Sequence, residues 1–330
     1  MYNRAVQIVF AALLLLCLGD VQGLRLAEQK CQEYRKLISS FTSKTSGKVN
    51  VTEYVTSPNG IPAKDGEFPH HVHVGRKLFN DDEKTKHMLH CSGALISDRY
   101  VLTSGLCIWT MDDNMSLGRH DYTRNSSLPE LLIVVSSITF FNLPNPNFDE
   151  LVNASYTNIE LWRLAEPVTF TSHIYPACLW TEDAIPDLQK LTVTGFTAGK
   201  RVIDTHETQL TKVPVSRVPI ENCTQLFVDE EHFLLHGWPG RSNDDNKKIV
   251  GFLRNVSDSL LCVTSSVAVY DGDGGSLLQT LDEESGDVYR LIGVGVRGYG
   301  IFEPQRSSRL RLYFDVQKQL DWIESVVWGT

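Results

Sequence analysis

Between Cys91 and Cys107 two short apolar runs, Ala94 to Ile96 and Tyr100 to Leu102, flank the polar triplet Ser97-Asp98-Arg99. Runs this short, broken by a turn and closed by a cysteine at each end, read as paired β-strands in a stapled β-rich domain. The other cysteines fit that reading. Cys17 lies in an apolar leader, and Cys31, Cys91, Cys107, Cys178, Cys223 and Cys262 remain. An even number with no Cys-x-x-Cys spacing points to three disulfides made during export, not to zinc. The leader itself has Arg4, an apolar stretch from Ile8 to Leu18, and small or polar residues to Gly23. It is too short to span a bilayer and reads as a signal peptide over residues 1–23. Sequons at Asn50, Asn114, Asn125, Asn153 and Asn255 suit a secreted glycoprotein, while a sixth at Asn222 has Cys223 as its middle residue. The net charge of -9 over 330 residues argues against a nucleic-acid partner, which calls for a basic face.

Residues 24–56 form a polar lead with one cysteine, Cys31, and partial helical periodicity from Leu24 to Phe41, followed by a linker. Six later segments carry a pattern. They are Ser57-Pro58-Asn59-Gly60-Ile61-Pro62-Ala63 ahead of Phe68-Pro69, the Cys91 to Cys107 unit, Asn158-Ile159-Glu160-Leu161-Trp162-Arg163-Leu164, Ile174-Tyr175-Pro176-Ala177-Cys178-Leu179, Val193-Thr194-Gly195-Phe196, and Tyr270-Asp271-Gly272-Asp273-Gly274-Gly275-Ser276-Leu277. In order and spacing these resemble the motifs of trypsin-like serine proteases, across residues 57–330. The resemblance implies an all-β fold of two antiparallel six-stranded barrels with a C-terminal helix. Phe314 to Val327 is the expected helix, with Val316, Leu320, Ile323 and Val327 on one face. The lead carries too few cysteines to resemble the CLIP domain common in arthropod relatives.

The same resemblance marks what is missing. Leu106 stands where the family has its histidine, Asn158 where it has its aspartate, and Asp273 where it has its serine. Leucine cannot move a proton, and asparagine cannot stabilise an imidazolium. Thr56 replaces the basic residue at the activation cleavage, Ser57-Pro58 replace the apolar new terminus, and Gly272 replaces the aspartate that would receive it. Val267 replaces the aspartate that reads a basic side chain. Asp271 brings a carboxylate to the oxyanion position, where it would oppose developing negative charge. No substrate chemistry, cofactor or metal is therefore expected. His71 and His73 could share a strand face, and His232 and His236 a helix face, but neither pair has the further ligands of a metal site; a partly exposed strand and a surface helix are the plainer readings. His120 has a family equivalent outside the active site, and Glu160 reads as a surface carboxylate.

Disulfides Cys91–Cys107, Cys31–Cys178 and Cys223–Cys262 follow from the resemblance, the second tethering the N-terminal lead. Residues 224–261 form an insertion that is a candidate partner-binding loop. The expected function is that of an extracellular, non-catalytic protease homologue. It would bind other secreted proteins, whether proteases, zymogens or inhibitors, as cofactor, decoy or regulator of a proteolytic cascade such as innate immune signalling. A structural or ligand-binding glycoprotein is the alternative, and a hydrolase using Asp273 as a carboxylate nucleophile is the remaining one.

Overall fold

A computed structural model of the chain describes residues 23–42, 60–64, 66–78, 86–105, 107, 114–120, 131–142, 158–185, 190–196, 210–226, 257–269, 274–282, 288–296 and 308–329. The leader, the linker after residue 42, Leu106, Asp271, Gly272, Asp273, most of the 224–261 insertion and the sequons at Asn50, Asn125, Asn153 and Asn255 lie outside these residues.

The first sheet is built from β2 (His71–Leu78), β3 (Lys86–Leu95), β4 (Tyr100–Ser104), β5 (Asn114–Leu117), β6 (Leu131–Ile133), β7 (Val135–Asn142) and β8 (Asn158–Leu164). Its order is β6-β5-β2-β3-β4-β8-β7, antiparallel throughout. β6 and β7 are separated only by Val134, so one run of chain pairs with β5 at its start and with β8 at its end. Six runs thus close into a ring. The turn between β3 and β4 is set by Ser97, whose Oγ accepts from the backbone N–H of Arg99 at 3.2 Å and of Tyr100 at 3.0 Å.

The second sheet contains β1 (Ile61–Pro62), β9 (Cys178–Leu179), β10 (Leu191–Gly195), β11 (Thr211–Val218), β12 (Leu260–Val269), β13 (Leu277–Leu281), β14 (Tyr289–Gly295) and β15 (Ser308–Asp315). The order β11-β10-β13-β14-β15-β12 closes through pairing of β11 with β12, which makes a six-stranded barrel; β1 adds to β11, and β9 adds in parallel to β14. Period-two alternation fills each barrel. Val72, Val74, Leu95, Val101, Trp162 and Leu164 fill the first. Val193, Val263, Leu278, Ile292 and Tyr313 fill the second. Between the barrels lies a third cluster in which Ala94, Leu102 and Leu161 meet Leu277, Phe314 and Ile323.

Among the described residues three α-helices accompany the sheets: α1 (Leu26–Thr42), α2 (Ile220–Leu226) and α3 (Leu320–Val327). The C-terminal helix is shorter than its apolar spacing predicts. Phe314 is still in β15, a 3-10 turn covers Gln317–Gln319, and Val316, Leu320 and Ile323 are buried on one face. Barrel closure holds the chain extended to Asp315 and overrides local helical spacing. Among the described residues no helix is long and apolar enough to cross a membrane.

Helix α1 is built into the body of the protein. Cys31 is joined to Cys178, and Ala27, Cys31, Tyr34 and Ile38 form its buried face. Its other anchor is a cluster of charges. Arg290 of β14 donates twice to Glu28, at 2.7 and 3.0 Å, and once to Asp282 at 2.6 Å, while Arg35 also pairs with Asp282. Burial raises the Glu28 carboxyl, but the Arg290 and Arg35 guanidinium groups outweigh it and hold it below the ordinary value.

Candidate functional site

The flanks of the three positions expected to form a catalytic triad converge. Ser104, at the end of β4, pairs with Ile159 of β8, so Gly105 follows on beside Asn158, which opens β8 and faces Asn142 of β7. Cys107, just after Leu106, is joined to Cys91 of β3. Cys91 in turn forms a parallel bridge with Gly274, the residue after Asp273. The segment ending in Gly274 and Gly275 is thus seated on the first barrel beside that disulfide. Val267 falls in β12 where its ladder to β15 is irregular, between Thr264 and Val269.

The seat is tight. Ser92 N–H donates to the Gly274 carbonyl at 2.8 Å, Gly275 N–H donates to the Gly295 carbonyl of β14 at 3.2 Å, and Thr103 Oγ donates to the Ser92 carbonyl at 2.7 Å. Gly275 therefore joins one barrel to the other. Its φ is +74°, and a Cβ there would lie 1.9 Å from the Ser92 carbonyl oxygen and 2.6 Å from Thr103 Oγ. Gly275→Ala is expected to cost roughly 2–5 kcal/mol through overpacking and left-handed backbone strain. Urea unfolding checks this; an unchanged midpoint would mean that the seat yields.

Two readings of the sequence are corrected here. Glu160 is not on the surface: it is fully buried, on the face of β8 that also carries Trp162 and Leu164 into the first barrel. Trp162 Nε1 donates to Glu160 Oε2 at 2.8 Å, and Oε1 has no partner. Burial pushes the carboxyl up to about 8, so at neutral pH it is mostly protonated. His71 and His73 do share a face, but each is only 2% exposed rather than partly open, because the second barrel covers the outside of β2. His70 and His120 are buried with them, His120 with Nε2 3.0 Å from the Phe68 carbonyl and Nδ1 3.3 Å from that of Lys64. The two-residue spacing could have flagged the shared face. The covering partner lies more than a hundred residues away in the chain and leaves no local signal.

Cys223, in α2, is joined to Cys262 of β12, and the exposed Asn222 beside it stands in that helix. Asn114 is the first residue of β5. Among the described residues no group of three or more His, Cys, Asp or Glu could hold a metal ion.

Comparison with known proteins agrees with the geometry. The family described as Trypsin matches residues 58–323. The chain is similar to Serine protease snk of Drosophila melanogaster, 26% identical over 314 residues, covering 92% of this chain and 65% of that protein. It is similar to Serine protease Hayan of the same organism, 26% identical over 271 residues, covering 80% of this chain and 38% of that one. It also resembles Inactive serine protease scarface of Drosophila melanogaster, 28% identical over 156 residues, which are 46% of this chain and 22% of that one. The chain thus spans less than two thirds of the length of each of these relatives. With the barrels, the seated glycine pair and the match over most of its length, the chain belongs to the trypsin family of serine proteases.

Proposed function

We propose that this is a secreted, non-catalytic member of the family that works by binding other extracellular proteins, as a cofactor, decoy or regulator of a proteolytic cascade. The observation that carries the reading is the joint substitution of the three triad positions by Leu106, Asn158 and Asp273. Around them the activation switch, the charge-reading pocket position (Val267) and the oxyanion position (Asp271) are altered too. Loss of several independent parts of one machine is what a scaffold retained for binding would accumulate. A relative whose name describes it as inactive, and others named as serine proteases or as Phenoloxidase-activating factor 3 of Holotrichia diomphalia, support a place in such a cascade.

The test is crosslinking and recovery of the full chain from native extracellular fluid. A specific protease, zymogen or inhibitor recovered in saturable amount supports the reading, and replacement of residues 227–256, the part of the insertion between α2 and β12, should then abolish the contact. Recovery of the protein alone and abundant would favour a structural glycoprotein instead. Activity is tested separately: Leu106→His, Asn158→Asp and Asp273→Ser combined are expected to give no peptide cleavage and no labelling by a fluorophosphonate, because pocket and switch stay altered. Measurable turnover by that variant would overturn the account.

A further inference from the structure

The surface between the barrels has two unlike halves. One is the apolar cluster around Leu102, Leu161, Phe314 and Ile323. The other is lined with imidazoles. Val72 and Val74 enter the first barrel, so His71 and His73 leave β2 on its outer face. Both rings lie against Phe196, just beyond β10 of the second barrel, at centroid distances of 5.3 and 4.8 Å. His70 and His120 flank Phe68 at 6.3 and 6.5 Å. Four histidines and two phenylalanines are thereby interleaved, each histidine at most 2% exposed.

Two of these rings, His70 and His71, are placed for the neutral state. Gln279 of β13 donates its amide N–H to Thr194 Oγ at 3.0 Å, so its Oε1 accepts from His70 Nε2 at 2.6 Å. His70 Nδ1 is left as a bare lone pair, and the polar group beside the buried His71 ring is the backbone of Thr194, whose effect burial outweighs. His120 differs, because a carbonyl stands near each of its nitrogens and both could accept from the protonated ring. Among the described residues, the titratable groups facing His70 and His71 from other elements include Tyr289, whose ring lies 5.6 Å from His70, and Glu67, which is taken up in an ion pair with Lys212 of β11. Tyr289 is pushed up by burial and stays neutral. Among the described residues no carboxylate is paired with His70 or His71. A proton arriving on His70 or His71 meets a dry surface and other imidazoles. Accordingly, burial lowers His70 to about 4 and His71 well below the ordinary value, and neighbouring imidazoles push both the same way.

We propose that this half of the inter-barrel surface is an acid-operated hinge: protonation of His70 and His71 parts the barrels there, pivoting on the apolar half, and uncovers Phe68 and Phe196. The sign follows from linkage. The opened form takes up protons near the ordinary imidazole value of about 6.5, whereas the closed form holds His70 down to about 4 and His71 well below the ordinary value, so closure is fully favoured above about 6.5 and is lost as pH falls toward 4. Two protons taken up on opening change the open fraction by about 100-fold per pH unit.

The test uses the full chain with its disulfides intact, taken from pH 7.5 to 4. The expected result is reversible binding of a hydrophobic dye with a steep midpoint in this window, while far-UV circular dichroism is unchanged. His71→Gln should move the midpoint to lower pH, and Glu28→Gln, which acts on the α1 anchor, should not. If His71→Gln does not fold, the assigned wild-type imidazole proton signals of His70 and His71 decide: they should titrate together with dye binding and not near 6.5. His70 and His71 titrating singly near 6.5 without dye binding, loss of far-UV signal together with dye binding, or a midpoint moved by Glu28→Gln and not by His71→Gln would each overturn the hinge.

Discussion

Glu160→Gln is expected to stabilise the protein at pH 9 by about 5 kcal/mol while leaving it nearly unchanged at pH 4. The carboxyl lies inside the first barrel with one oxygen unpartnered, and burial raises it from 4.5 to about 8. In the unfolded chain it ionises near 4.5, and in the folded chain only near 8. Between those values the folded state holds the extra proton, so stability falls steadily as pH rises and is lowest above 8. Glutamine keeps the shape and the acceptor for Trp162 but cannot ionise. Urea unfolding of both proteins at pH 5 and pH 9 measures the difference, in which other titrating groups cancel. Parallel stabilities across that range would mean that Glu160 reaches water.

Arg290→Met is expected to cost about 3–5 kcal/mol, the usual consequence of leaving buried carboxylates without their cation. Glu28 and Asp282 have side chains 15% and 5% exposed, and Arg290 is bonded to both. Burial works against its charge, yet the two carboxylates outweigh that and raise it above the ordinary guanidinium value. Asp282 keeps Arg35, so the larger loss falls on Glu28 and hence on α1. Hydrogen exchange should accelerate across residues 26–42 before it does in β10 or β13, although the disulfide at Cys31 still holds the helix. Arg290→Lys should recover only part of the loss, because an ammonium cannot make the paired donation to Glu28. Uniform acceleration over the whole chain would show that the charges stabilise the fold at large and not the helix.

What the sequence made legible follows the range of the interactions. The β3–β4 turn could be read because Ser97 caps it from within the same few residues. The convergence at Gly274 and Gly275 came from resemblance, not from any local pattern. Glu160 misled because a carboxylate in an alternating strand is ordinarily exposed; only the closed ring turns that face inward, next to a tryptophan able to donate to it. The buried histidines misled for the same reason, since Phe196 reaches them from the other barrel. The charges that dock α1 come from residues far apart in the chain, and no spacing rule links Glu28 to Arg290. Helix α3 began late because its first expected turn was already committed to a barrel strand.

The two ends of the chain are exchanged. The N-terminal helix and β1 lie on the second barrel, through Cys178, Arg290 and the pairing of Ile61 with Lys212, whereas the C-terminal helix reaches back to the first, where Trp322 stands 5.3 Å from Phe141. A cut anywhere between the barrels would yield no autonomous half: each fragment would carry a strap whose buckle sits on the other. The two fragments would be expected to be individually unfolded and to regain structure only on mixing. The apparent duplication of the architecture hides a single cooperative unit, knotted by contacts and not by thread.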